Sequence, residues 1–153
     1  MRKILLKVNG VPYPVDVTPC DTLARVLREK LGFTDVKLGC GKGECGSCTV
    51  LDNGKPIVSC LQLAVKADGH EIMTARGLAQ EGKLHILQEK FIEHDAIQCG
   101  YCTPGMLMSA KALLDANPNP SEEDIRKALS GNICRCTGYQ QIVEAIAAAV
   151  GHK

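Results

Sequence analysis

Residues 39–48 read "GCGKGECGSC", and two chemistries compete for them. Taken by its glycines, the stretch spells Gly41-x-Gly43-x-x-Gly46, the form of a dinucleotide-binding loop. Taken by its sulfurs, it places Cys40, Cys45 and Cys48 at metal-ligand spacing. A dinucleotide loop opens a helix and is followed by an acid about 20 residues on. Here "CTVLDNG", residues 48–54, reads as strand and turn, and phosphate binding has no use for three cysteines. Cys40-x4-Cys45-x2-Cys48, followed by Cys60, is instead the plant-type [2Fe–2S] spacing. Each of two irons takes two thiolates, and bridging sulfides complete the tetrahedra. Gly39, Gly41, Gly43 and Gly46 let the loop fold back on itself, and their N–H groups are expected to donate to the sulfurs. A structural zinc site would favour paired C-x2-C knuckles, which this stretch lacks.

The chain has 153 residues and nine cysteines. An odd count and no export signal disfavour a disulfide framework, and clustered cysteines in a reducing compartment bind metal or do redox work. The second set is Cys99-x2-Cys102 in "QCGYCTPG" and Cys134-x-Cys136 in "NICRCTG". Both pairs are expected at helix starts, where backbone dipoles favour anionic ligands. The spacing of this set fits zinc and [2Fe–2S] equally. Cys20, in the turn "TPCD", reads as a small apolar filler.

With a net charge of +1, no Trp and five other aromatics, the chain has neither a basic stripe nor stacking platforms, which argues against nucleic acid. No apolar run approaches the roughly 20 residues of a membrane helix, and the basic tip of "MRKILLKVNG" is followed by too short a core for a signal peptide. A cytoplasmic protein is expected.

The first half alternates strands and turns. "KILLKV" runs into Asn9-Gly10, a hairpin signal, and "VPYPVDV" puts Val11, Tyr13, Val15 and Val17 on one face, with Pro12 and Pro14 marking an edge strand. Asp21 or Thr22 can cap a helix with the stripe Leu23, Val26, Leu27, Leu31, which Gly32 ends. "CTVL", the turn Asp52-Asn53-Gly54, "KPIVSC" and "HEIMTA" follow. The second half is helical: "LHILQEKFIEH" with Leu84, Leu87 and Phe91; "GMLMSAKALLDA" behind Thr103-Pro104 as N-cap and first-turn proline; "DIRKALS" behind Ser121-x-x-Asp124 as a capping box; and "YQQIVEAIAAAV" with Ile142, Val143 and Ile146 inward. The pattern predicts an α+β fold of two domains, residues 1–76 and 77–153.

The co-occurrence and order of "GCGKGECGSCTV", "QCGYCTPGM" and "GNICRCTGYQ" resemble the small iron–sulfur subunit of molybdenum hydroxylases, the xanthine dehydrogenase and carbon monoxide dehydrogenase family, over nearly the whole length. Ser47 stands where alanine is common beside Cys48. The resemblance implies an N-terminal plant-ferredoxin-like (β-grasp) domain and an all-α helical-bundle domain, each with one [2Fe–2S] cluster. It implies an outer cluster on Cys40, Cys45, Cys48 and Cys60, facing a flavin, and an inner one on Cys99, Cys102, Cys134 and Cys136, beside a molybdopterin. Gln98 matches the glutamine that contacts the pterin, and Cys136 the cysteine that the pterin amino group approaches; by itself Gln98 reads equally as a surface or capping amide. The implied partners are a large molybdopterin-binding subunit and a medium FAD-binding subunit, in a heterotrimer or its dimer. The implied work is relaying single electrons during oxidative hydroxylation of an N-heteroaromatic or purine, with aldehydes, carbon monoxide and aryl-CoA thioesters as other substrates of the family. A stand-alone two-cluster carrier and a zinc-stapled interaction module are the competing classes. His70, His85, His94 and His152 show no ligand spacing, and Arg135, between two cysteines, reads as a counter-charge or a salt-bridge partner.

Overall fold

The computed structural model describes residues 1–151; His152 lies outside them. Strands β1 (Arg2–Val8) and β2 (Val11–Val17) pair antiparallel with Val8 opposite Val11. The turn between them is the expected Asn9-Gly10, at φ 51° and 83°, as the two-residue hairpin turn demands. Strands β3 (Thr49–Asp52) and β4 (Lys55–Val58) repeat the device around Asn53-Gly54. Strand β5 (Glu71–Met73) lies between the hairpins, parallel to β1 and antiparallel to β3, and completes the order β2-β1-β5-β3-β4. β2 is an edge strand, as its two prolines require. Its apolar alternation buries Val15 and Val17 but leaves Tyr13 half-buried and Val11 exposed.

Thr22, not Asp21, caps α1 (Leu23–Arg25), accepting from the Arg25 N–H at 3.4 Å. Asp21 accepts from the Thr18 N–H and from Lys30 Nζ, at 2.9 and 2.7 Å. The helix then widens into a π-helical turn over Val26–Lys30, with the Leu31 N–H reaching the Val26 carbonyl. The widened turn rotates Leu31 out of the expected stripe, so Leu23, Val26 and Leu27 are fully buried and Leu31 only partly.

Helices α2 (Ile86–Glu93), α3 (Thr103–Ala116), α4 (Glu122–Ala128) and α5 (Gln140–Ala148) form the second half. Leu87 and Phe91 are buried while Leu84 is exposed. His85 caps α2: its Nδ1 accepts from the Leu87 N–H, and Gln88 Oε1 accepts from the His85 N–H. Ser121 and Asp124 form the expected capping box of α4. Thr103 is not the cap of α3. Cys102 takes that place with helical backbone angles, φ −79° and ψ −17°, so the helix starts one residue early and no side chain caps it.

Two apolar cores result, and β3 serves both: Val50 points into the core under α1, and the next residue, Leu51, into the helical core with Phe91, Met106 and Ile146. Strand alternation makes β3 a shared wall, and α3 packs on it. The backbones meet closely there. A Cβ on Gly105 would lie 2.4 Å from the Gly46 carbonyl oxygen, and one on Gly46 would lie 2.1 Å from the Gly131 oxygen. That Gly46 oxygen accepts from the Thr49 N–H (3.1 Å), the Thr49 hydroxyl (2.7 Å) and Asn132 Nδ2 (3.0 Å). Asn132 is buried, and its Oδ1 accepts from the Ser109 hydroxyl at 2.7 Å.

This contact yields a paired prediction. Gly105→Ala in the full chain should cost about 1–3 kcal/mol through overpacking. Gly131→Ala, whose Cβ would meet nothing within 4 Å, should stay within ~0.5 kcal/mol of the parent. Denaturant unfolding of both checks it; equal losses would show that the backbone contact is no constraint.

Candidate metal centres

The loop between α1 and β3 presents Cys40, Cys45 and Cys48, and the turn after β4 presents Cys60. Cys40 and Cys45 are half-buried; Cys48 and Cys60 are buried. The N–H groups of Lys42, Glu44 and Cys45 donate to Cys40 Sγ at 3.4, 3.3 and 3.4 Å, and the Cys40 N–H donates to Cys45 Sγ at 3.4 Å. The sequence led us to expect glycine donors at these sulfurs. Gly43 is one, its N–H serving Cys60; at Cys40 the donors are residues beside the glycines, Gly41 and Gly43 having taken positive φ, 66° and 83°. The donors of Lys42, Cys45 and Glu44 hold Cys40 down at about 6, close to thiolate form at neutral pH. Burial, then the adjoining Cys48, pushes Cys60 up to about 11.

The second set is split between two loops. Cys102 is the N-cap of α3, with Cys99 just upstream. Cys134 and Cys136 do not lie at a helix start as expected: α5 begins only at Gln140, after Tyr139 in a left-handed conformation, φ 67°. Tyr139 Oη accepts from the Cys134 N–H at 2.9 Å and props the loop. Donors to sulfur come from Thr137, whose hydroxyl and N–H reach Cys134 Sγ at 3.0 and 3.3 Å. Burial raises the Cys134 thiol, but these donors outweigh it and the net shift is downward. The Tyr101 N–H, then Cys136, lowers Cys99; burial, then Cys134, pushes Cys102 up to about 12; and hydrogen bonding to Cys99 raises Cys136.

The thiols therefore sort into neighbours, Cys40 with Cys45, Cys48 with Cys60, Cys99 with Cys136 and Cys102 with Cys134. Within each set the pairs also feel one another, Cys60 the charge of Cys40 and Cys102 that of Cys99. A two-iron cluster asks only two thiolates of each iron, and the donor set fits it: paired soft sulfurs, with N–H and O–H groups aimed at them to stabilise negative charge.

One cavity of about 340 Å³ is lined by Cys40 and Cys45 of the first set and by all four cysteines of the second. The Ile133 N–H donates to the Cys45 carbonyl at 2.9 Å, linking a first-set residue to the neighbour of Cys134. The Asn132–Gly46 bond ties the same loops, and Tyr101 Oη, donating to the Leu38 carbonyl at 2.8 Å, adds a third tie. The sequence reading missed Tyr101, Thr137 and Asn132 as supports; their only signal was adjacency to the cysteines. Arg135 and Cys136 are exposed residues of the cavity lining, and Gln98, beside Cys99, is exposed. Cys20 is exposed, so it is no core filler; the turn closed by the Asp21 N–H to the Thr18 carbonyl carries it outside the core. His70 pairs with Asp52, Nδ1 to Oδ1 at 2.7 Å, away from the cysteines.

The pattern of the "2Fe-2S iron-sulfur cluster binding domain" family matches residues 6–75, and that of the "[2Fe-2S] binding domain" family residues 74–147. Over 152 residues the chain is 51% identical to the nicotinate dehydrogenase small FeS subunit of Eubacterium barkeri, covering 98% of this chain and 97% of that one. Quinoline 2-oxidoreductase from Pseudomonas putida 86 contains a chain that superposes with a TM-score of 0.94 at 49% identity, over 97% of this chain and 93% of that one. The aldehyde oxidoreductase of Desulfovibrio desulfuricans matches with a TM-score of 0.94 at 46% identity, over 98% of this chain but 17% of its own. With both cluster-binding patterns present in series and near-complete coverage of separate small subunits, this chain belongs to the iron–sulfur subunits of the molybdenum hydroxylases, the xanthine dehydrogenase family.

Proposed function

We propose that this chain is the electron-transfer subunit of a molybdenum hydroxylase, passing single electrons between a molybdopterin site and an FAD on larger partner subunits. The observation that carries the reading is the shared cavity, in which Cys40 and Cys45 of the first set face the same space as all four cysteines of the second. When bound, two [2Fe–2S] clusters supply one-electron exchange. Cys40, Cys45, Cys48 and Cys60 would hold the outer one, and Cys99, Cys102, Cys134 and Cys136 the inner one. The thiol pairs suggest how each set divides: Cys40 with Cys45 on one iron and Cys48 with Cys60 on the other, then Cys99 with Cys136 and Cys102 with Cys134. Residues 1–76 would form the β-grasp, ferredoxin-like domain and 77–153 the all-α cluster domain.

On this reading the exposed Gln98 amide and the Cys136 rim meet the pterin of a large subunit, and a medium subunit brings FAD to the other end, in a heterotrimer or its dimer in the cytoplasm. Among the described residues no helix is long and apolar enough to cross a membrane. For the enzyme as a whole an N-heteroaromatic substrate is favoured, since the relatives named for nicotinate and quinoline lie at 51% and 49% identity.

Reconstituted chain should hold four irons and four labile sulfides, and Cys45→Ser should disturb one electron paramagnetic resonance signal while the other persists. Saturation at two irons, or loss of both signals from folded protein, would overturn the ligand assignment. Gln98→Ala in the assembled complex should retain all iron yet weaken pterin retention or slow cluster reduction by substrate, by the ~0.5–1.5 kcal/mol of a lost hydrogen bond, a factor of about 2–12. Unchanged molybdenum content and reduction rate would leave Gln98 a surface amide.

A further inference from the structure

Ser47 was read from the sequence only as a small residue beside Cys48. In the fold it is 4% exposed, with its hydroxyl oxygen 3.1 Å from Cys45 Sγ. The Gly39 N–H donates to that oxygen at 3.2 Å, and the Lys37 carbonyl lies 3.3 Å away. A serine hydroxyl has one proton to give. Gly39 occupies one lone pair, so the proton goes to Lys37 or to Cys45. An O–H···O bond is normally 2.5–3.0 Å long, so the carbonyl is a distant acceptor. The sulfur is close, and a cysteine bound to iron as thiolate can only accept.

Resting on the assignment of Cys45 to the outer cluster, we propose that Ser47 sets that cluster's reduction potential by donating its hydroxyl proton to Cys45 Sγ. Reduction adds one electron, delivered by the inner cluster, and moves no proton. The added negative charge spreads onto the ligand sulfurs, and a hydrogen-bond dipole aimed at one of them favours the reduced form. An alanine at this position would fill the same space without the dipole. Ser47 therefore acts on the cluster through Cys45, as a positioning residue. It makes the outer cluster the better electron acceptor of the pair than it would otherwise be, and so favours flow outward from the inner one.

The test is a redox titration of the full chain carrying both clusters, followed by electron paramagnetic resonance, for the parent, Ser47→Ala and Ser47→Thr. In Ser47→Ala the outer cluster should be about tenfold harder to reduce, a fall of ~59 mV for a one-electron couple. The inner cluster should not move, and Ser47→Thr, which keeps the hydroxyl, should stay near the parent. An unmoved outer midpoint in Ser47→Ala with full iron and sulfide overturns the proposal, as does an equal fall in Ser47→Thr. Loss of the outer cluster from Ser47→Ala also overturns it, since the hydroxyl would then serve to hold residues 37–39. Iron content separates these failures from that of the ligand assignment: a parent chain with no cluster in the first loop overturns both.

Discussion

The carbonyl oxygen of Gly46 is the point through which the two halves of this chain constrain each other. It accepts three donors, two from Thr49 within the first half and one from Asn132 in the second. A buried carbonyl satisfied this fully pins its peptide plane. The neighbouring peptides are pinned with it, including the Cys45 carbonyl that receives the Ile133 N–H. The Gly105 backbone closes against the same oxygen, which is possible only without a side chain. Most of what places the first cysteine set against the second follows from this one junction. The shared strand β3 is the larger-scale form of the same constraint, since the sheet and the bundle cannot separate without exposing Leu51 or Val50.

Where function depended on short-range rules, the sequence was readable. Asn9-Gly10 and Asn53-Gly54 announce their hairpins because few residues tolerate the positive φ of such turns. Ser121 and Asp124 announce a helix because both groups of the capping box lie within four residues. The cysteine spacing is legible for a similar reason: the loop is short, so ligand geometry is imposed locally. Several departures involve partners distant in sequence or a shift of one residue. Leu31 left its stripe because of a π-helical turn that nothing in the apolar spacing marks. Cys102 displaced Thr103 from the cap because its backbone is already helical. Asn132 became visible as a clasp only when residue 46 was seen 86 positions away in sequence.

The two thiol sets solve the same electrostatic problem by different means. In the first, a tight loop directs three backbone N–H groups at one sulfur, and Cys40 falls to about 6. In the second, a threonine supplies both a hydroxyl and an N–H to Cys134. Each set also contains a raised thiol, the buried Cys60 or the half-buried Cys102, whose charge as a thiolate needs a nearby cation to offset its desolvation. Iron held between the sulfurs would supply that offset.

The hydrogen bond from Ile133 to the Cys45 carbonyl has one further consequence, which concerns how such enzymes can be assembled from parts. Both of its ends belong to this polypeptide, so the distance between the two sites is fixed when the chain folds and not when it docks. Its neighbours need only bring their own groups to the two outward ends. Such a relay keeps its fold whether it stands as a separate subunit or as a segment of a longer chain. Its internal wiring is then inherited as a unit, while what surrounds it is free to diverge.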